Sequence, residues 1–121
     1  MTDRTIHIHV ESPEAMWARS LSAVKRLDAG EIDFAGEHLS FANMATYLAA
    51  ITPKRLELVA RLKQVGPCSI RALSKEITRD YKSVHQDLSK LIEIGLVERR
   101  EDGLVEAPYD TIVSTIKLAA A

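Results

Sequence analysis

The apolar positions along this chain change their spacing several times, and each change marks a new element. Residues 5–10, Thr-Ile-His-Ile-His-Val, alternate with period two. Ile6, Ile8 and Val10 therefore share one face and His7 and His9 the other, which predicts a short strand. Ser12-Pro13-Glu14 opens a helix, with a hydroxyl at the N-cap and proline at the first helical position. It is expected to run to about Asp28 and to end at Ala29-Gly30. Trp17, Leu21, Val24 and Leu27 fall near one stripe of it, as core or dimer contacts do. Residues 31–38 are acidic and irregular, and Leu39-Ser40-Phe41 predicts a brief strand. A second helix from about Ala42 to Ala50 directs Met44, Tyr47, Leu48 and the following Ile51 toward a core.

Thr52-Pro53 starts a third helix that reaches Val65 before Gly66-Pro67 stops it. Its apolar residues Leu56, Leu58, Val59, Leu62 and Val65 span a wide arc, which predicts packing on two sides. Ser69 caps a short helix, Ile70 to Ile77, with Ile70, Leu73 and Ile77 facing in. Thr78-Arg79-Asp80 is a turn, and the next helix runs from Tyr81 to Ile94, closed by Gly95. Tyr81, Val84, Leu88, Leu91 and Ile92 form its buried stripe. Lys82, Ser83, Gln86, Ser89 and Lys90 are pushed to the opposite face, with His85 at the edge. Leu96–Arg100, then Glu101-Asp102-Gly103, then Leu104–Ala107 read as a hairpin turning at Asp-Gly. The β-branched run Thr111–Leu118 reads as a strand that pairs with Ile6–Val10, within the chain or across a dimer.

Two helices joined by a three-residue turn and followed by a hairpin make the pattern of a winged helix-turn-helix. The expected fold is mainly α with a small β part (α+β). Residues 1–51 are a strand-helix extension for dimerisation or partner binding, 52–108 the winged helix-turn-helix, and 109–121 a C-terminal strand and tail. In that geometry the second helix of the motif enters the major groove. Lys82, Ser83, His85 and Gln86 are then placed to read base edges, since lysine donates to guanine and glutamine pairs bidentately with adenine. Arg71, Lys75, Arg79 and Lys90, with Arg99 and Arg100 of the hairpin, are placed to hold the phosphate backbone.

Charge supports this division. From Thr52 to Arg100 there are 11 cations and 6 anions, a net of +5. The rest of the 121 residues holds 5 cations and 11 anions, a net of −6, so the chain's −1 hides a basic segment between acidic flanks. There is no long apolar run for a membrane span and no apolar leader in the first residues. One cysteine, Cys68, excludes an internal disulfide and a cysteine-based zinc site, and suits a reducing cytoplasm. Its place after Pro67 at a helix start also allows a redox-sensing thiol. His7 and His9, two apart on a strand, reach toward a common metal, but no further ligand has matching spacing, and a solvated strand face is the plainer reading. Ser83, His85 and Asp87 imitate a triad, yet the first two point about 200° apart on a helix. With no glycine phosphate loop, HExxH or paired cysteines, no catalytic site and no cofactor are expected.

The runs Leu-x-x-x-Gly-Pro-x-Ser-Ile-Arg-Ala-Leu-Ser (62–74), Arg-Asp-Tyr-Lys-Ser-Val-His-Gln-Asp-Leu (79–88) and Gly-Leu-Val-Glu-Arg (95–99) resemble the MarR-like winged-helix regulators of prokaryotes. Thr52-Pro53-Lys54-Arg55, Arg79–Lys82 with Val84-His85 and Asp87, and Pro108-Tyr109-Asp110 resemble a narrower group of short DNA-binding proteins, many thought to be antitoxins. The resemblance covers about residues 39–118. It implies a dimeric repressor that binds operator DNA, regulates its own operon and neutralises a toxin through another surface. It also leaves open an effector-responsive regulator and a winged-helix protein–protein module. The long paired N- and C-terminal dimerisation helices of full-length multidrug-sensing members are not evident in this sequence, so their buried effector pocket is not expected.

Overall fold

The alternating N-terminal run forms β1 (Thr5–Val10), with Ile6, Ile8 and Val10 buried and the residues between them half-buried. In this computed structural model, which describes residues 3–28 and 37–118, β1 is the middle of three strands. It is followed by α1 (Pro13–Asp28), β2 (Glu37–Phe41), α2 (Met44–Ala50), α3 (Pro53–Val65), α4 (Ile70–Glu76) and α5 (Tyr81–Ile94). The chain ends with β3 (Glu98–Arg99), β4 (Val105–Glu106) and β5 (Thr111–Ile116). The architecture is α+β, and no helix among the described residues is long and apolar enough to cross a membrane. Two units make up the chain, one from residues 1–48 with 111–121, the other from residues 49–110.

In the first unit β2 and β5 both run parallel to β1. Parallel neighbours need a long connection, and α1 lies on the one from β1 to β2. Ser12 Oγ accepts the Ala15 amide at 3.1 Å, so the capping and proline signals act as expected. Residues 37 and 38, expected to be irregular, begin β2; the expected helix end at Ala29-Gly30 and residues 31–36 lie outside the described residues. One sheet face carries Ile6, Ile8, Val10 and Phe41, with Tyr47 edge-on to Phe41 and donating its hydroxyl to Ser114 Oγ at 3.0 Å. Trp17, Leu21 and Val24 of the predicted stripe are exposed, Trp17 by 66%.

The opposite face gathers three imidazoles that the sequence separates. The register sets His38 beside His7, and His9 Nε2 lies 2.8 Å from His38 Nδ1, one ring donating to the other. The rings stack at 5.0–6.4 Å between centroids. No group of three histidine, cysteine or carboxylate side chains among the described residues is arranged to hold a metal ion. Buried Glu11 closes the row, receiving Arg19 Nη2 at 2.8 Å. Burial lowers the His9 pKa, and nearby Arg19, His38 and His7 lower it further against Glu11. The unfolded chain therefore takes up this proton first. The stability that neutral His9 contributes is complete above pH about 6.5 and is lost as pH falls toward its lower folded value. Melting temperatures are expected to drop as pH falls below about 6.5, and His9→Gln to flatten that drop. Glu11, also lowered, titrates in a separate and more acid window.

The second unit is built from capped helices. Thr52 Oγ1 accepts the Arg55 amide, Ser69 Oγ the Ala72 amide and Asp80 Oδ2 the Ser83 amide. Leu58, Val59 and Leu62 of α3 are buried, while Leu56 and Val65 are exposed. The two-sided packing predicted for α3 is thus confined to one arc, because Leu56 lies about 160° around the helix from Leu58. Val84, Leu88 and Leu91 of α5 are fully buried, joined by Leu73, Leu96, Val97 and Val105. Gly95, at φ 91° and ψ 9°, ends α5 in the left-handed conformation.

The α4–α5 turn closes in the same way without glycine. Thr78 has φ 54°, its amide bonds to Lys75 O, and the Arg79 amide bonds to Ser74 O. A β-branched residue is strained there. Thr78→Gly is expected to raise unfolding stability by about 1 kcal/mol, read by urea denaturation.

Candidate nucleic-acid interface

With Val84, Leu88 and Leu91 turned into the core, α5 presents the other side of its first two turns to solvent. Tyr81, Lys82, His85 and Gln86 line one open depression there. Positions i, i+1, i+4 and i+5 form a single strip on a helix. Tyr81 was expected in the buried stripe, yet it is 42% exposed. It lies about 60° around the helix from Val84, toward His85, where the core has already ended. Its ring is 5.9 Å from that of His85, and the Arg71 guanidinium stands 4.9 Å from its centre. An exposed cation–π contact of this kind is worth about 0.5–1 kcal/mol and fixes the direction of the guanidinium. Arg71 comes from α4, and Lys75, four residues on, extends the same face.

The predicted cations separate by whether a carboxylate already holds them. Among the described residues Lys54, Arg71, Lys75, Lys82 and Arg99 have no carboxylate within ion-pair distance. Arg79 donates to Asp87 Oδ2 at 2.7 Å, and Arg55 reaches Asp87 Oδ1 at 3.1 Å. Lys90 lies 3.7 Å from Glu93, and Arg100 lies between Asp102 and Glu106. Arg61 pairs with Glu76. The proposed backbone contacts at Arg79, Lys90 and Arg100 are therefore partly committed to other partners, while Arg71, Lys75 and Arg99 are not.

Two further placements shape what this face can do. Ser83 turns its hydroxyl back to Asp80 at 3.3 Å, so it belongs to the cap of α5 as placed. Because Asp80 occupies that helix end, a phosphate gains little there, and anion contact falls to side chains. The Ser83, His85 and Asp87 side chains do not converge, since Asp87 is held by Arg79 and Arg55.

The β3–β4 hairpin forms, and its turn falls at Glu101-Asp102-Gly103 as the sequence predicts. Gly103 N–H donates to Arg100 O and Arg100 N–H to Leu104 O, leaving a three-residue loop, 101–103, with Gly103 at φ 86°. Cys68 adds a third short segment, exchanging backbone hydrogen bonds with Val105 at 3.2 and 2.9 Å. Burial and then Glu76 push the Cys68 thiol up, against a lowered, redox-sensing thiol. Glu101, Asp102 and Glu106 bring the net charge over Thr52–Pro108 down to +2. Cationic character therefore concentrates on the α4–α5 face, away from the hairpin.

A helix pair that buries one side and offers arginine, lysine, tyrosine, histidine and glutamine on the other defines a candidate polyanion-binding unit. Residues 50–114, more than half of the chain, match the model of the HVO_A0114 family, and the chain belongs to that family. The match takes in nearly all of the second unit and enters β5. No curated protein and no solved structure matches it.

Proposed function

We propose that this protein is a DNA-binding transcriptional regulator whose second unit is a winged helix-turn-helix. The reading makes α5 the helix in the major groove and the β3–β4 hairpin the wing. What carries it is the α4–α5 face, where Arg71, Lys75 and Lys82 are exposed without carboxylate partners beside Tyr81, His85 and Gln86. Lys82, His85 and Gln86 read base edges, with Ser83 joining only if its hydroxyl leaves Asp80. Arg71, Lys75 and Arg99 hold phosphates. The MarR-like sequence pattern adds that the protein is a cytoplasmic repressor of its own operon, acting as a homodimer on a two-fold operator. It carries no catalytic role in this reading.

The test is a titration against DNA from upstream of its own gene and against unrelated DNA. Binding to the upstream fragment is expected to be the tighter, and both affinities to fall steeply with salt as released counterions set the slope. Equal affinity for the two fragments, or none at low salt, rejects the reading.

A second role rests on the antitoxin-like residues and on the exposed Trp17, Leu21 and Val24 of α1, remote in sequence from the basic helices. In it the first unit captures a toxin encoded beside this gene. Co-expression with the neighbouring product, followed by size exclusion, is expected to yield a complex that Trp17→Ala weakens.

A further inference from the structure

Strand β5 is one edge of the three-stranded sheet, and among the described residues its hydrogen-bonding pattern leaves every second residue open. The amides of Thr111 and Lys117 donate to Arg4 O and Val10 O of the neighbouring segment. In a parallel strand, alternate residues point both backbone groups the same way. Residues 111, 113, 115 and 117 thus face β1, while Ile112, Ser114 and Ile116 direct theirs outward. Proteins blunt such edges with charge, proline or bulges, because a bare edge is a template for another strand. The opposite edge strand, β2, carries Glu37, ion-paired to Arg4, and His38. Thr-Ile-Val-Ser-Thr-Ile carries neither charge nor proline, and Val113 and Ile116 are exposed.

The sequence of this edge reads nearly the same in both directions from Ser114. Ile112 mirrors Ile116, and Val113 mirrors Thr115, a residue of almost the same shape. We infer that β5 is the seam at which two copies of this chain join, antiparallel, about a two-fold axis through Ser114. Ser114 then pairs with the partner's Ser114, and Ile112 with the partner's Ile116. The outward groups fall opposite one another as hydrogen-bonded pairs, giving about six new backbone hydrogen bonds. Val113 meets the partner's Thr115 on the other face, and Lys117 meets the partner's Thr111, so no like charges oppose. The two three-stranded sheets become one of six. A two-fold seam also explains why this edge needs no guard: the second copy covers it. This deepens the regulator reading by naming how its two copies join, and rests on that reading for the use of the pair.

The experiment is sedimentation of the full chain without DNA, across micromolar to high-micromolar concentrations. The wild type is expected to be a dimer, and Ser114→Pro to weaken dimerisation more than tenfold with an unchanged far-UV spectrum. Proline is tolerated where the missing amide faces away from the sheet. Should Ser114→Pro fail to fold, a charge pair carries the test. Val113→Glu with Thr115→Glu, and Val113→Lys with Thr115→Lys, are each expected to be monomeric alone and to form a heterodimer when mixed. A monomeric wild type, an unimpaired Ser114→Pro dimer, or charge variants that stay apart when mixed overturns the seam. DNA binding is read separately. A β5 dimer that ignores DNA keeps the seam and rejects the regulator, whereas a monomer that binds its operator does the reverse.

Discussion

Asp87→Ala is expected to cost about 3 kcal/mol of unfolding stability, the largest loss from any single charged side chain in the second unit. The Asp87 carboxylate is only 17% exposed and receives Arg79 at 2.7 Å and Arg55 at 3.1 Å. Arg55 also donates to the carbonyls of Ala49 and Ala50, so one carboxylate ties α5 to the α4–α5 turn, to α3 and to the end of α2. Removing it leaves two half-buried guanidinium groups facing each other without a counter-charge. Glu76→Ala is the control: its pair with Arg61 is exposed on both sides, and such pairs contribute about 0–1 kcal/mol. The sign of the pH dependence follows from the same contacts. Burial by itself raises the Asp87 pKa, but the hydrogen bonds and charges of Arg79 and Arg55 outweigh it and hold the carboxyl below its usual range. Its contribution is therefore present above the unfolded pKa near 4 and is lost as pH falls through the depressed folded value. Urea unfolding at pH 7 should separate wild type from Asp87→Asn clearly, and the gap should narrow in acid. A gap that is the same at both pH values contradicts the ion-pair origin.

This triad of charges also shows where reading the sequence stops. Asp87 is eight residues from Arg79 and thirty-two from Arg55, and nothing in their spacing announces a shared partner. Local signals fared better. The alternation of Ile6, Ile8 and Val10, the helix starts at Thr52 and Ser69, and the glycine stop at Gly95 are each decided within a few residues. The α5 stripe was legible where periodicity is long, at Val84, Leu88 and Leu91, and failed at Tyr81, the margin of the arc. Position on the helix alone does not decide whether a neighbouring element reaches such a margin. His38 joined His7 and His9 only through the parallel register of β2, a long-range pairing that no local pattern specifies. The strand at 111–116 was readable from its β-branched residues, but its direction beside β1 was not.

The second large effect concerns the α4–α5 face, and it separates reading from holding. Replacing Lys82 and Gln86 together by alanine is expected to reduce the preference for operator over unrelated DNA on the order of 100-fold, since each good base contact discriminates by about 1–3 kcal/mol. Arg71→Ala is expected to leave that preference unchanged and to weaken binding to every sequence, lowering the salt slope by about one. The distinction comes from position. Lys82 and Gln86 stand on the exposed side of the first two turns of α5, whereas Arg71 reaches in from α4 and is braced against the Tyr81 ring. Tyr81→Ala, which removes the brace but no charge, should resemble a weaker Arg71→Ala. Arg79→Ala sets a different trap, because its guanidinium already serves Asp87. Its loss should appear first in the unfolding curve, and in DNA affinity only as far as α5 is displaced. Titrations of the four variants at two salt concentrations, each beside its own urea curve, tell these cases apart. An Arg71→Ala protein with altered sequence preference and an unchanged slope would move base reading from α5 to α4 and refute the assignment of the groove-facing helix.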